Sequence, residues 1–339
     1  MGNLQYFRSS FIVTGLGLAA AFYVGGPKAM FIAAILSVLE VSLSFDNAVV
    51  NATVLKDMDE KWRHRFITWG MLIAVFGMRV VFPVLIVAVI AKLSPWAALQ
   101  LAVGDPDGYA ATLTSAHVVV AGFGGAFLMM VFLQFFLDKE KDVHWVRLIE
   151  EPLSKLGKME AVTIAICMIV IYVISTYLPQ AKQMEFVLAA MAGLITYIIV
   201  DGFSALLESD EEANHNGTVA RTGLSAFLYL EVLDASFSFD GVIGAFALSN
   251  NIFIIAIGLG VGAMFVRSLT LYFVAKGTLD QFRYLEHGAF YAIGALATIM
   301  FVGTVHHISE VITGLIGAAF IVLALYSSIR HNRRVAAAQ

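Results

Sequence analysis

The sequence predicts an all-α membrane protein with two related halves, and three observations lead to this fold class. First, 60% of the 339 residues are hydrophobic, only 14% are charged and the mean hydropathy is +0.84. A soluble chain is usually about 45–50% apolar and about 25% charged. Second, long apolar runs follow one another along the whole chain. Third, one short polar motif occurs twice, once in each half. We therefore expect about ten transmembrane helices in two inverted five-helix repeats.

The apolar runs set the number of predicted spans. A helix needs roughly 17–25 mostly apolar residues to cross the hydrocarbon core. No convincing cleavage site follows the first run, so we expect it to be retained as a helix. The ten predicted spans are residues 9–24, 29–55, 66–91, 115–137, 161–178, 185–207, 223–248, 251–274, 287–305 and 308–329.

The domain organisation follows from this count. Residues 1–178 form the predicted first repeat, which includes a cytoplasmic loop at 138–160. Residues 179–184 are a linker, and residues 185–339 form the second repeat and a basic C-terminal tail. With five spans in each half, the second half enters the membrane in the opposite sense to the first.

The basic residues predict the orientation of these spans. If both termini are cytoplasmic, 16 of the 21 Lys and Arg residues lie on the inside. Lys28, Lys92 and Lys182 then lie outside, and Arg79 and Arg267 lie within spans. Because cytoplasmic loops carry an excess of Lys and Arg, this distribution favours an inner (plasma) membrane protein with both termini in the cytoplasm.

The repeated motif is the main functional signal. Residues 40–47 read Glu-Val-Ser-Leu-Ser-Phe-Asp-Asn, and residues 234–241 read Asp-Ala-Ser-Phe-Ser-Phe-Asp-Gly. A carboxylate at bilayer depth costs several kcal/mol unless it has a partner or a cation. Two matching pairs of acids in the two halves therefore indicate an ion site between repeats.

The motif geometry predicts a distorted helix. Two acids six residues apart point roughly 120° apart on an ideal helix, so they cannot easily face one ion together. Serine hydroxyls can bond backbone groups freed by a break, and the Asn and Gly that end the motifs are poor helix formers. We therefore predict breaks at 42–47 and 236–241, which would also free carbonyl oxygens as ligands.

The donor groups of the motif predict the ligand. Carboxylates, hydroxyls and amides are hard oxygen donors, which suit Mn²⁺, Mg²⁺ or Ca²⁺ and suit Zn²⁺ or Cu⁺ poorly. Asn51 could contribute a second amide. The predicted metal-site residues are Glu40, Asp46, Asn47, Asp234, Asp240, Ser44 and Ser238.

Two intramembrane arginines could balance these acids. The four motif acids together with Arg79 and Arg267 sum to −2, which one divalent cation would neutralise. The arginines could pair with Asp46 and Asp240 when no ion is bound. A purely structural salt bridge is the alternative interpretation.

Two further acids are candidates for accessory roles. Glu231 lies one turn before Asp234 and could carry a proton or help to admit the ion, or it could be an interfacial acid. Asp201 lies in the sixth predicted span and could carry a proton, or it could be a hydrogen-bonded packing residue.

Composition excludes several other classes. The single cysteine, Cys167, excludes disulfide frameworks and multi-thiolate metal sites. We expect no enzymatic activity and no cofactor. The expected partners are a divalent metal ion as substrate and the lipid bilayer, with no nucleic acid.

The chain resembles the TerC family of bacterial integral membrane proteins. The resemblance rests on the two motifs, residues 40–47 and 234–241, each followed by an intramembrane arginine, Arg79 or Arg267. It covers residues 27–305 and implies a link to tellurium resistance or, for an Alx-like branch, to manganese export. It also implies that Glu40 and the other motif acids line the metal path. The chain departs from the pattern with Asp234 in place of a glutamate and with what look like extra spans.

The sequence therefore predicts an exporter of a divalent cation, with Mn²⁺ first among the candidates. Transport of Ca²⁺ or of a small organic solute is a rival prediction. An intramembrane aspartyl protease would normally carry Gly-x-Gly-Asp within a span, whereas Gly104-Asp105 lies in a predicted outside loop. A membrane scaffold is a further alternative, and it predicts that the protein tolerates the loss of any one motif acid.

Overall fold

The computed structural model describes residues 3–70, 72–138, 143–156, 161–211, 223–306 and 308–338. All the regular structure in these ranges is helical, as the sequence predicts. A 3₁₀ helix, Asn3–Phe7, precedes α1, and two π-helical segments, π1 (Phe66–Gly70) and π2 (Ile73–Val81), lie between α3 and α4. The α-helices are α1 (Arg8–Leu43), α2 (Phe45–Asp57), α3 (Glu60–Arg65), α4 (Phe82–Ile90), α5 (Pro95–Gly104), α6 (Pro106–Ser115), α7 (His117–Leu137), α8 (Arg147–Leu156), α9 (Ala161–Tyr177), α10 (Gln180–Glu211), α11 (Leu224–Phe246), α12 (Ile252–Lys276), α13 (Thr278–Gln281), α14 (Leu285–Gly303) and α15 (Glu310–Ala338).

Long apolar helices dominate the molecule. In the described ranges, 7 helical stretches are long and apolar enough to cross a membrane, which fits a polytopic membrane protein. Helix α9 is apolar but shorter, and α11 carries three acids in its 23 residues. The number of ten spans stays a prediction. The seven stretches are Leu4–Leu43, Glu60–Ile90, His117–Leu137, Gln180–Gly202, Ile252–Lys276, Leu285–Gly303 and Ile312–Ala336.

The first two predicted spans meet at a kink in α1. Gly25 and Gly26 leave the helical conformation, and Gly26 has φ +69° and ψ −160°. This left-handed backbone is accessible to glycine without a steric penalty. Pro27 follows and restarts the helix, since its ring fixes φ near the helical value. The predicted boundary between 9–24 and 29–55 therefore coincides with a change of helix direction.

The two motifs differ in backbone conformation. At the first motif the chain breaks at Ser44, which has φ −106° and ψ 18° and separates α1 from α2. The predicted distortion at 42–47 is therefore present. The second motif lies inside the continuous helix α11, so the predicted break at 236–241 is wrong. Ser236 Oγ donates to the carbonyl of Val232 at 2.9 Å, one turn back, and so bonds within an intact helix.

The contacts between the two halves are reciprocal. Helices α1 and α2 pack on α12, and α11 packs on π1 and π2. In the same way, α2 packs on α14 and α11 packs on α7, while α7 and α14 pack on each other. Two structurally related halves would make such exchanged contacts. The repeat itself, its length and its inverted sense stay predictions.

The predicted loop at 138–160 contains α8, while residues 139–142 and 157–160 lie outside the described ranges. Helix α8 is held by the buried carboxylate of Glu150. This carboxylate accepts hydrogen bonds from the amides of Trp145 and Val146 and, at 3.1 Å, from the hydroxyl of Tyr291 in α14. The opposite face exposes Leu148. The polar contacts thus hold α8 against the helix bundle.

Close packing of α7 on α10 generates a stability prediction. A Cβ atom added at Gly193 would lie 2.1 Å from the carbonyl oxygen of Phe123, so Gly193→Ala must push the two helices apart. We expect this overpacking to lower the free energy of unfolding by about 1–3 kcal/mol. Thermal unfolding in detergent measures the loss. Gly15→Ala is the matched control, because nothing lies within 4 Å of an added Cβ atom there. Equal stability of the two variants would contradict the prediction.

Candidate functional site

The first motif, α11 and α12 enclose a small polar cavity, here called the central cavity. Its volume is about 30 Å³, room for one or two waters or a bare ion. Ala74, Phe237, Ala263 and Val266 supply its apolar walls. The polar side chains that line it are Ser44, Asn47, Asn51, Arg79, Asp234, Arg267, Ser238 and Thr270.

A buried ion pair lies at one wall of the central cavity. Arg79 in π2 pairs through Nη2 with Oε1 of Glu40 in α1, and their residues are only 7% and 2% exposed. The same carboxylate oxygen accepts a hydrogen bond from Ser44 Oγ at 2.9 Å, and Arg79 Nη1 donates to the carbonyl of Ala74. The predicted pairing of Arg79 with Asp46 is wrong. Asp46 lies six residues after Glu40, beyond the break at Ser44, and makes no contact with Arg79 of the kind that Glu40 makes.

Asp234 is held by two asparagines on the opposite side of the cavity. Its Oδ1 atom accepts hydrogen bonds from Asn47 Nδ2 at 2.8 Å and from Asn51 Nδ2 at 3.0 Å. Asn47 and Asn51 are four residues apart on α2, so they lie on the same helix face. The two motifs are therefore joined directly, since Asn47 ends the first and Asp234 begins the second.

Three buried oxygen atoms around this cavity have no hydrogen-bond partner in the part of the chain that the structure describes. They are Asn47 Oδ1, Asn51 Oδ1 and Ser238 Oγ. The amide orientations follow from the network, because each Nδ2 donates to Asp234 and leaves its oxygen free. Buried polar atoms are nearly always satisfied, so these oxygens, together with the unpartnered Nε atoms of Arg79 and Arg267 at the same cavity, are available to bound water or to a ligand.

Asp46 lies in a neighbouring cavity, here called the Asp46 cavity, also of about 30 Å³. Its Oδ1 atom accepts a hydrogen bond from the amide of Asn47 at 3.0 Å. Ser44 and Phe237 line both cavities and form part of the wall between them. The complete lining is Glu40, Leu43, Ser44, Asp46, Phe237, Gly241, Ala292, Leu296 and Thr313.

The remaining predicted residues take different positions. Arg267 lines the central cavity, and its Nη2 atom donates to the carbonyl of Ile67 in π1 at 3.1 Å. Glu231 is buried, and neither of its carboxylate oxygens finds a hydrogen-bond partner among the described residues. Asp201 lies half-buried in α10 and lines neither cavity. Asp240 belongs to α11, but its side chain lies outside the described set, so its predicted pairing with Arg267 stays a prediction.

The charges explain why this arrangement is stable in the described conformation. Asp234, Arg79 and Arg267 line the central cavity, and Glu40 pairs with one of the arginines, so the four charges sum to zero. Within the described ranges, no group of three or more His, Cys, Asp or Glu side chains is arranged to hold a metal ion. The oxygen donors at the central cavity are instead a mixture of carboxylate, amide and hydroxyl groups.

From the sequence, Asn51 is only a possible second amide ligand, and Arg79 is paired with the wrong acid, Asp46. The four-residue spacing of Asn47 and Asn51 is a signal that could have identified the amide pair. No local pattern could have matched Arg79 to Glu40, because 39 residues separate them in the chain.

The buried ion pair generates a second prediction. We expect Arg79→Gln to lower the free energy of unfolding by about 3–5 kcal/mol, because it leaves the buried carboxylate of Glu40 unpaired. Adding Glu40→Gln should recover about 0.5–3 kcal/mol of that loss, since the unpaired charge is then gone. Chemical denaturation in detergent measures both values.

The control for this prediction is the exposed pair of Lys182 and Glu185, whose charged atoms lie 3.0 Å apart. Lys182→Gln should cost no more than about 1 kcal/mol, because solvent screens an exposed pair. If Arg79→Gln costs no more than Lys182→Gln, the buried pair does not stabilise the fold.

Comparison with known proteins identifies the family. The model of a family described as "Protein of unknown function (DUF475)" matches residues 45–335. The chain is also 30% identical over 137 residues to the "Uncharacterized membrane protein YceF" of Bacillus subtilis (strain 168), an alignment that covers 38% of this chain and 52% of the relative. The matched region thus spans about half of the relative's length. No solved structure matches. These findings support membrane localisation, and the finer resemblance to the TerC family stays a prediction. The chain belongs to the DUF475 family, whose function is unknown.

Proposed function

We propose that this chain is a membrane transporter that exports a divalent metal cation, with Mn²⁺ as the first candidate substrate. The observation that carries the proposal is the set of three unpartnered, buried oxygen atoms that share the central cavity with Asp234. Each of these atoms is a hard donor, as are the carboxylates of Asp234 and Glu40. Such a set suits Mn²⁺, Mg²⁺ or Ca²⁺.

The size of the cavity favours an ion over an organic solute. The central cavity has room for one or two water molecules, which favours a small ion over an organic solute. In the described conformation the cavity therefore suits the cation better than the rival small-solute substrate.

Arg79 supplies a mechanism for gating the site. Its guanidinium binds Glu40 in the described conformation and so takes the place that a cation would need. A divalent cation that bound Glu40 and Asp234 would displace Arg79, and the arginine would return when the ion left. The pair would thereby keep the carboxylate neutralised during the return step, since an unpaired carboxylate at this depth is costly.

Proton exchange would couple transport to an energy source. Glu231 suits the role of a proton carrier. Both of its carboxylate oxygens are buried and have no hydrogen-bond partner among the described residues. The protonated, neutral acid avoids the cost of a buried charge. It lies one turn from Asp234 on α11, which would link its protonation to ion binding. Asp201 is the second candidate for this role.

The resemblance to the TerC family and the distribution of basic residues complete the proposal. They support an inner-membrane location with both termini cytoplasmic, an inverted repeat of five helices per half and the link to manganese export or tellurium resistance. Alternating access would then move α1, α2 and α11 relative to the rest of the bundle. We propose no enzymatic activity.

Ion flux into proteoliposomes tests the function. Wild-type protein should show saturable Mn²⁺ flux, and Asp234→Asn should reduce it at least about tenfold, because an interaction with a charged group is worth about 1.5–3 kcal/mol. Ser44→Ala should also reduce flux, since Ser44 lines both cavities and holds Glu40. Competition with Ca²⁺ and Mg²⁺ identifies the preferred ion.

Ser42→Ala is the matched control for Ser44→Ala. Ser42 belongs to the same motif, but it is exposed and its hydroxyl donates to the carbonyl of Val38 at 2.8 Å within its own helix. Its substitution should leave flux unchanged. Absence of flux for all three ions in a stably folded protein would contradict the proposal and favour a membrane scaffold.

A further inference from the structure

The carboxylate of Glu40 faces two spaces at once. Its Oε1 atom binds Arg79 and Ser44 at the wall of the central cavity. Its Oε2 atom points the other way, 3.2 Å from the position that a Cβ atom on Gly241 would take. Gly241 and Glu40 both line the Asp46 cavity, so the two oxygens of one carboxylate serve the two cavities.

The Asp46 cavity carries its own signs of a cation site. Asp46 is only 6% exposed. Its Oδ1 atom accepts a hydrogen bond from the Asn47 amide, and its Oδ2 atom lies 3.2 Å from the position of a Cβ atom on Gly317. Thr313 adds a hydroxyl to the lining. The carboxylates of Glu40 and Asp46 therefore line one small cavity together with the Thr313 hydroxyl.

The two cavities differ in charge. Two arginines and one carboxylate line the central cavity, whereas two carboxylates and no basic side chain line the Asp46 cavity among the residues described. Arg79 neutralises Glu40, so Asp46 supplies the net negative charge of its cavity, whereas the charges around the central cavity sum to zero. In this conformation a cation is therefore attracted more strongly to the Asp46 cavity. Glycines at 241 and 317 leave the room for it, since a Cβ atom at either position would approach a carboxylate oxygen.

We propose that the Asp46 cavity is a second station for the divalent cation, in series with the central cavity and joined to it by Glu40. This inference rests on the proposed function and extends it from one site to two. Glu40 is the shared ligand, with Oε2 used at the Asp46 station and Oε1 at the central one. Arg79 decides which station is open, because it occupies Oε1 in the conformation described. Ser44, at the break between α1 and α2, separates the two stations.

Mn²⁺ titration of the purified full chain in nanodiscs tests the two stations, with free Mn²⁺ followed by its electron paramagnetic resonance signal. Asp234→Asn removes the only carboxylate among the described residues that line the central cavity and should leave Mn²⁺ affinity within about threefold of wild type while abolishing flux. Asp46→Asn should weaken binding more than tenfold, because it removes the charge next to Glu40. Its amide oxygen can still accept the Asn47 amide, which preserves the local fold.

Gly317→Ala tests the space rather than the charge. Its methyl group would lie 3.2 Å from Oδ2 of Asp46, restrict the approach to this carboxylate and weaken Mn²⁺ binding at least about tenfold. Gly15→Ala, a glycine with open space around it, is the matched control and should bind as the wild type does. Thermal unfolding of every variant verifies that the fold is intact.

The outcomes separate this inference from the proposed function. If wild type binds and transports Mn²⁺ but Asp234→Asn abolishes all binding, a single shared site exists and the two-station inference is overturned. Unchanged binding in both Asp46→Asn and Gly317→Ala would overturn it as well. If wild type neither binds nor transports Mn²⁺, Mg²⁺ or Ca²⁺, the proposed function itself fails.

Discussion

The buried contact between Glu40 and Arg79 constrains the rest of this helix bundle. Both side chains lie deep in a molecule whose surroundings are apolar helices and lipid, where an unpaired charge costs several kcal/mol. Two neighbouring groups stabilise the pair, since Ser44 donates to the carboxylate and the carbonyl of Ala74 accepts from the guanidinium. α1 and π2 must therefore keep one relative position as long as the pair persists. A bound cation could release them, which makes the same contact suitable for both stability and gating.

Small residues allow the charged groups to reach this position. A Cβ atom at Gly262 would lie 2.5 Å from the Cβ atom of Glu40, so glycine is what lets α1 approach α12 at the level of the motif. Gly258 has the same role next to Leu36, one turn earlier on α1. Membrane helices have little hydrophobic driving force between them and associate through such close packing. The glycines thus place the carboxylate, although they take no part in its chemistry.

The two motifs use their first serine in the same way and their second serine differently. Ser42 and Ser236 each donate to the carbonyl one turn back, that of Val38 or Val232. In the first, Ser44 directs its hydroxyl to the Glu40 carboxylate and the helix breaks there. In the second motif, the helix continues, and the hydroxyl of Ser238, the counterpart of Ser44, has no hydrogen-bond partner among the described residues. The asymmetry follows from the partner available to each hydroxyl. The central cavity therefore has one wall with a helix break, at Ser44, and one wall formed by the continuous helix α11. Such an arrangement suits a ligand site in which one side moves.

The sequence by itself determined the helical class, the membrane setting, the position of the kink after residue 24 and the motif that carries the polar groups. These follow from local properties, namely the length of apolar runs, the conformational preferences of Gly and Pro, and the cost of carboxylates in lipid. Only the tertiary structure decided that Arg79 pairs with Glu40, that Asn47 and Asn51 hold Asp234, and that Asp46 faces a separate cavity. Partner choice depends on how distant helices pack and on where a helix breaks. A local pattern specifies neither, so the second motif looked breakable in sequence yet forms a continuous helix once α7 and the π-helical segments pack against it.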